Sequence, residues 1–246
     1  AAAALVGAAV VTLFGTAVVA LNPVMRGWRP PPTRRRATGL GPLRSTGFPA
    51  LLACVAGLGI AFGAAEVTIP AYATSYSGTG GDGAAGLLLA VWSVGSAASG
   101  IWFGTRPPAE NMPIQFARLL VMVAASFVVF ALMPNPLALG AALAVGGMAI
   151  APALTVENNL IGRITPSDML NEAYTWAVTT MVAATAAGGA LAGVIVDQPG
   201  GVPWAFVVAG AAVAGSAAVA ALPNGPIARA DAAAALRVRE ALTEAR

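Results

Sequence analysis

The sequence predicts an all-α integral membrane protein of about seven transmembrane helices, and three observations predict it. Hydrophobic residues make up 58% of the chain and charged residues 9%, against roughly 25% charged in an ordinary soluble domain. The apolar residues lie in unbroken runs of about 18 or more, the length a helix needs to cross a hydrocarbon core about 30 Å thick. All 13 basic residues are arginines, and they fall only in alternate connections between those runs. The ten-residue alternation of an outer-membrane barrel is absent, and the richness in Ala and Gly suits closely packed membrane helices.

The runs place spans at 2–21, 50–75, 85–103, 116–133, 137–160, 172–196 and 203–222. The first has no basic segment ahead of it and its arginines follow it, so it reads as a span and not a cleaved leader. Residues 22–48 carry Arg26, Arg29, Arg34, Arg35, Arg36 and Arg44 around three consecutive prolines, Pro30, Pro31 and Pro32. Proline lacks the amide donor and clashes with the preceding turn, so this stretch reads as a basic linker and the best domain boundary. Beyond it, 49–223 forms a unit of six helices with short, turn-rich connections such as Met133-Pro134-Asn135-Pro136, which make neighbouring helices antiparallel. Residues 224–246 are a tail whose Ala, Leu, Arg and Glu favour a short helix with a thin apolar stripe.

The remaining arginines are Arg106 and Arg118 in one connection, Arg163 in another, and Arg229, Arg237, Arg239 and Arg246 in the tail. The opposite connections hold Asp82 and Asp197 and no base. By the positive-inside rule the N-terminus is outside and the tail cytoplasmic, in a cytoplasmic (inner) membrane. The same separation explains the basic balance without nucleic acid as a partner.

Several chemistries are excluded by what is lacking. There is one cysteine, Cys54, and no histidine, so zinc and haem sites lack ligands and no cofactor is expected. There is no nucleophile paired with a base, no GxxxxGK[ST] loop and no HExxH, so an enzyme is not expected. Without lysine no retinal Schiff base can form.

An ionisable residue inside a span is a functional candidate by default, because its charge costs at least about 2.5–3.5 kcal/mol at the helix centre. Glu66 is the clearest case. Pro70, four residues on, has no amide hydrogen for the carbonyl of Glu66, and Gly59, Gly63, Glu66 and Pro70 share one helix face, expected to point into the bundle. Burial there favours a protonated carboxyl that exchanges a proton or a cationic substrate. The fifth span repeats the device with Gly146, Gly147 and Pro152 and ends in Glu157, Asn158 and Asn159. Glu157 and Glu172, near Arg163, read equally as a solvated charge cluster closing the cytoplasmic side. Gly100 with Gly104, and Gly189 with Gly193, are GxxxG pairs whose ordinary meaning is packing. Trp92, Trp102, Tyr174, Trp176, Tyr72 and Tyr76 could line a path or anchor the interface.

Two segments carry a family likeness: residues 86–106, from Gly86 through Gly100 and Gly104 to Arg106, and residues 171–197, from Asn171 through Gly189 and Gly193 to Asp197. They look like the eighth and eleventh spans of drug-exporter-like members of the major facilitator superfamily. One helix, a basic linker and six helices in two triplets together resemble the end of the sixth span and the C-terminal half of such a transporter. Gly100, Gly104 and Arg106 resemble the degenerate second copy of that family's loop motif, with Thr105 where its strong copy keeps an aspartate. The resemblance implies alternating access, a small organic substrate near the midplane, partners in protons and the lipid bilayer, and a missing N-terminal half. It makes Glu66, Pro70, Tyr72, Glu157, Asn158 and Glu172 a substrate and proton pathway. A permease subunit serving a separate ATPase, or a non-transporting scaffold, are the other classes.

Overall fold

A computed structural model describes residues 2–23, 41–77, 81–107 and 109–244. The helices are α1 (Ala2–Leu21), α2 (Phe48–Ser77), α3 (Gly81–Gly104), α4 (Met112–Ala131), α5 (Pro136–Gly147), α6 (Ile150–Ile164), α7 (Leu170–Val196), α8 (Gly201–Ala221) and α9 (Pro226–Glu244). Among the described residues there is no strand. The protein is an all-α multi-pass membrane protein: among the described residues six stretches, with α5 and α6 forming one, are long and apolar enough to cross a bilayer.

The chain divides into two units, Ala1–Ala37 and Thr38–Arg246. The first contains α1, 20 residues of apolar helix, about 30 Å long, in the place of the first expected span and outside the six stretches. Arg26, Arg29 and Arg34 to Arg36 of the expected linker lie outside the described residues. The last part of that linker is ordered within the second unit, where Pro42–Arg44 form a 3-10 turn. Gly47 then enters α2 at φ +89°, and a Cβ there would stand 2.6 Å from the Pro226 carbonyl oxygen, so both backbone conformation and space require glycine.

In the second unit α2 is the central helix, packed on α7, α8 and α3, while α4 packs on α8 and α3 on α5. Lipid tails are as apolar as leucine, so helix association depends on close approach at small residues and on interhelical hydrogen bonds. Gly63 lies against the Thr185 backbone and Gly188 against the Ile60 carbonyl, which brings α2 and α7 into backbone contact. Across α2 and α8, the Cys54 thiol donates to the Ser216 carbonyl at 3.4 Å, and the Ser216 hydroxyl donates back to the Cys54 carbonyl at 3.3 Å. Trp92, Phe127, Phe130 and Phe206 fill the middle with edge-to-face and tilted rings.

The fifth expected span is not one continuous helix. It breaks at Met148 and Ala149, between α5 and α6, because Pro152 has no N–H for the Met148 carbonyl and its ring crowds that carbonyl. Gly146 and Gly147 make the bend possible: a Cβ on the first would stand 2.6 Å from the Phe130 ring, and on the second would strike the Trp92 carbonyl.

The tail was expected to be a short helix with only a thin apolar stripe. α9 packs on α2, α4 and α6, burying Ile227, Ala230 and Ala234. Alanines make a weak apolar stripe in the sequence, yet they allow the close approach seen here.

Candidate functional site

The two membrane acids exchange the places expected of them. Glu66 is exposed in the six-helix unit, although Gly59 and Gly63 on the preceding turns turn to α7. The expected burial of Glu66 is therefore not found within this unit. Glu157, read equally as part of a solvated cluster and as a pathway residue, is 4% exposed, and its Oε2 has no hydrogen-bond partner. The cause is helical phase: Ala153, Glu157, Leu160 and Ile164 recur at spacings of four, three and four on the buried face of α6, so Glu157 occupies a core position.

Glu157 lines an open cleft of about 300 Å³ with Leu154 and Asn158 of α6, Phe62 of α2, and Tyr174 and Met181 of α7. The polar groups at its edge are already engaged. The Asn158 side-chain amide donates to the Leu154 carbonyl at 2.8 Å, and the Tyr174 hydroxyl donates to the Asn158 carbonyl at 3.2 Å. That leaves the carboxyl of Glu157 as the group with unused capacity in a mostly apolar cleft, where an unsatisfied polar atom is costly. The site stands five residues past the proline that breaks the span.

The two acids lie at different depths. Glu157 is seven residues before the end of α6 and Glu66 eighteen after the start of α2, or about 10 Å and about 27 Å from the arginine-bearing end at 1.5 Å per residue. Phe62, one turn before Glu66, is the residue of α2 that reaches the Glu157 cleft. Glu172 is half-buried in the first turn of α7, where its charge suits the helix dipole. The arginine it was grouped with turns elsewhere: Arg163 Nε pairs with Asp231 of α9 at 2.8 Å.

The other candidates differ in their surroundings. Tyr72 is 6% exposed, its hydroxyl donating to the Met133 carbonyl at 2.7 Å, and Tyr76 stacks on it and donates to Pro134 at 2.6 Å. These tyrosines pin the α4–α5 turn. Trp92 is buried in the aromatic cluster, whereas Trp102 is exposed with the Arg106 guanidinium 3.8 Å over its ring. Pro70 lies within a continuous α2. Gly100 approaches Ala151, but Gly104 and Gly193 face open space, so neither GxxxG pair acts as a whole. Gly189 meets Gly63, and its neighbour Gly188 makes the tighter contact. Among the described residues no group of acids, histidines or cysteines could hold a metal.

No family model, curated protein or solved structure matches the chain.

Proposed function

We propose that the protein is a proton-coupled secondary transporter, exporting a small organic compound, in which the six-helix unit acts as one half of a two-halved carrier of major-facilitator type. The observation that carries this reading is Glu157: a buried carboxyl with an unused oxygen, beside a break in a membrane span, opening on a cleft. Ionisable groups at membrane depth that face a cavity are suited to proton relay, and broken helices are a recurring way of building such sites. Glu66 supports the same reading. An acid exposed on an apolar span faces a cost of at least about 2.5–3.5 kcal/mol in lipid, relieved where another half of the carrier or a water-filled path covers that face. The charge distribution supports a cytoplasmic position for the arginine-bearing end and the tail.

The test is proton flux in proteoliposomes holding a pH-sensitive dye, driven by each of a panel of small organic compounds. Compound-driven flux that is lost in Glu157→Gln and kept in Glu172→Gln is the expected result. Flux that Glu157→Gln leaves unchanged would sink the coupling role of Glu157, and no flux with any compound would favour a scaffold.

A further inference from the structure

Where α2 begins, the chain has just passed Arg44, Ser45 and Thr46, and α9 crosses nearby. These three residues, with Ile164 at the end of α6, Pro166 just beyond it, and Ala230, Ala233 and Arg237 of α9, line a cleft of about 320 Å³. Half of the lining residues carry side-chain hydrogen-bond donors, two of them guanidinium groups, and no carboxylate is among them. The nearby carboxylate of Asp231 is engaged by Arg163 at 2.8 Å. Arg44 and Arg237 are both exposed, so their charges are open to a ligand. Arg237 makes only a long 3.5 Å bond to the Ala233 carbonyl.

Depth identifies what chemistry meets this cleft. One membrane stretch starts at Phe48 and another ends at Ile164, so the lining residues sit where spans leave the hydrocarbon, at the level of lipid headgroups. Two guanidinium forks and two hydroxyls suit the several oxygens of a phosphate. Basic pockets at span ends are suited to anionic headgroups for the same reason.

We propose that this cleft binds a phosphate group, supplied by an anionic lipid headgroup or by free phosphate, which ties the turn before α2 to the tail helix. It is independent of the transport reading. The experiment uses the purified, delipidated protein, with thermal unfolding followed against added phosphatidylglycerol, inorganic phosphate, or a diacylglycerol of the same chains without phosphate. Native mass spectrometry counts retained phosphatidylglycerol in parallel. Phosphatidylglycerol should raise the midpoint where diacylglycerol does not, and its affinity should fall about fivefold in Arg44→Gln and again in Arg237→Gln. The exposed Arg118 provides the control, and Arg118→Gln should bind as the wild type does. An arginine-dependent shift with inorganic phosphate alone makes free phosphate the source. Should the glutamine variants fail to fold, Arg44→Lys with Arg237→Lys keeps the charge, loses the fork, and should still bind more weakly. No phosphate-dependent shift, or equal loss in Arg118→Gln, overturns the site.

Discussion

Arg163 Nε stands 2.8 Å from Asp231 Oδ1 and so joins the last turn of α6 to the tail helix α9. The pair is partly shielded, with side chains 31% and 11% exposed, between the exposed case worth up to about 1 kcal/mol and the buried case in which losing one partner costs about 3–5 kcal/mol. Burial pushes the Asp231 carboxyl above the ordinary carboxylate range, and Arg163 pulls it down by less. The docked tail then binds more protons than the free one between the ordinary and the raised value. Docking is strongest below the ordinary value and weakens as pH rises through the raised one. A spin label on Ala232→Cys reads this, because Ala232 is exposed and the native Cys54 is buried. Mobility should rise from about pH 4 upward, and Asp231→Asn should remove the dependence.

The α2–α7 crossing gives a second prediction. A Cβ at Gly188 would strike the Ile60 carbonyl, whereas one at Gly193 would meet nothing within 4 Å. Gly188→Ala should destabilise the bundle by about 1–3 kcal/mol through forced separation of the backbones. Gly193→Ala should be neutral, or stabilise by up to about 1 kcal/mol through helix propensity. Thermal unfolding in one detergent separates the two, and equal effects would contradict the crossing described.

That contrast shows where sequence reading succeeds and stops. The six apolar stretches after the linker, and their order, were legible because crossing a bilayer demands long apolar runs, and the break at Met148 and Ala149 was signalled by Gly146, Gly147 and Pro152, although a continuous span was expected. The partner of a glycine was not legible: Gly189 and Gly193 have the pattern, but Gly188 carries the tighter contact. The depth of Glu66 and Glu157 along the chain is visible in the sequence, whereas their exposure is set by phase around the helix. The phase of Glu157 is written in Ala153, Leu160 and Ile164, but Asn158, Asn159 and Arg163 give the same stretch the composition of a polar helix end. The link from Arg163 to Asp231 spans 68 positions, and nothing local announces it.

Tyr72 should behave as a structural residue. Tyr72→Phe keeps the ring stacked on Tyr76 and removes only the bond to the Met133 carbonyl, so it should cost about 1 kcal/mol of stability. Substrate affinity in the transport assay should be unchanged; a large fall in affinity with stability intact would place the hydroxyl in the path instead.

Glu157 and Pro152 should show stability and function pulling in opposite directions. Glu157→Leu removes a buried oxygen without a partner and puts apolar volume in its place, which should stabilise the bundle by about 1–3 kcal/mol. Pro152→Ala returns an N–H to the Met148 carbonyl and relieves the ring clash, a local gain of up to about 3 kcal/mol where α5 and α6 can straighten. Gly146 and Gly147 are held against Phe130 and Trp92, so straightening must shift those neighbours and part of the gain is lost. If the break and the acid form one device, both variants unfold at higher temperature than the wild type and both lose compound-driven proton flux. Raised stability with flux intact in Pro152→Ala would separate the break from transport and leave Glu157 to act on its own.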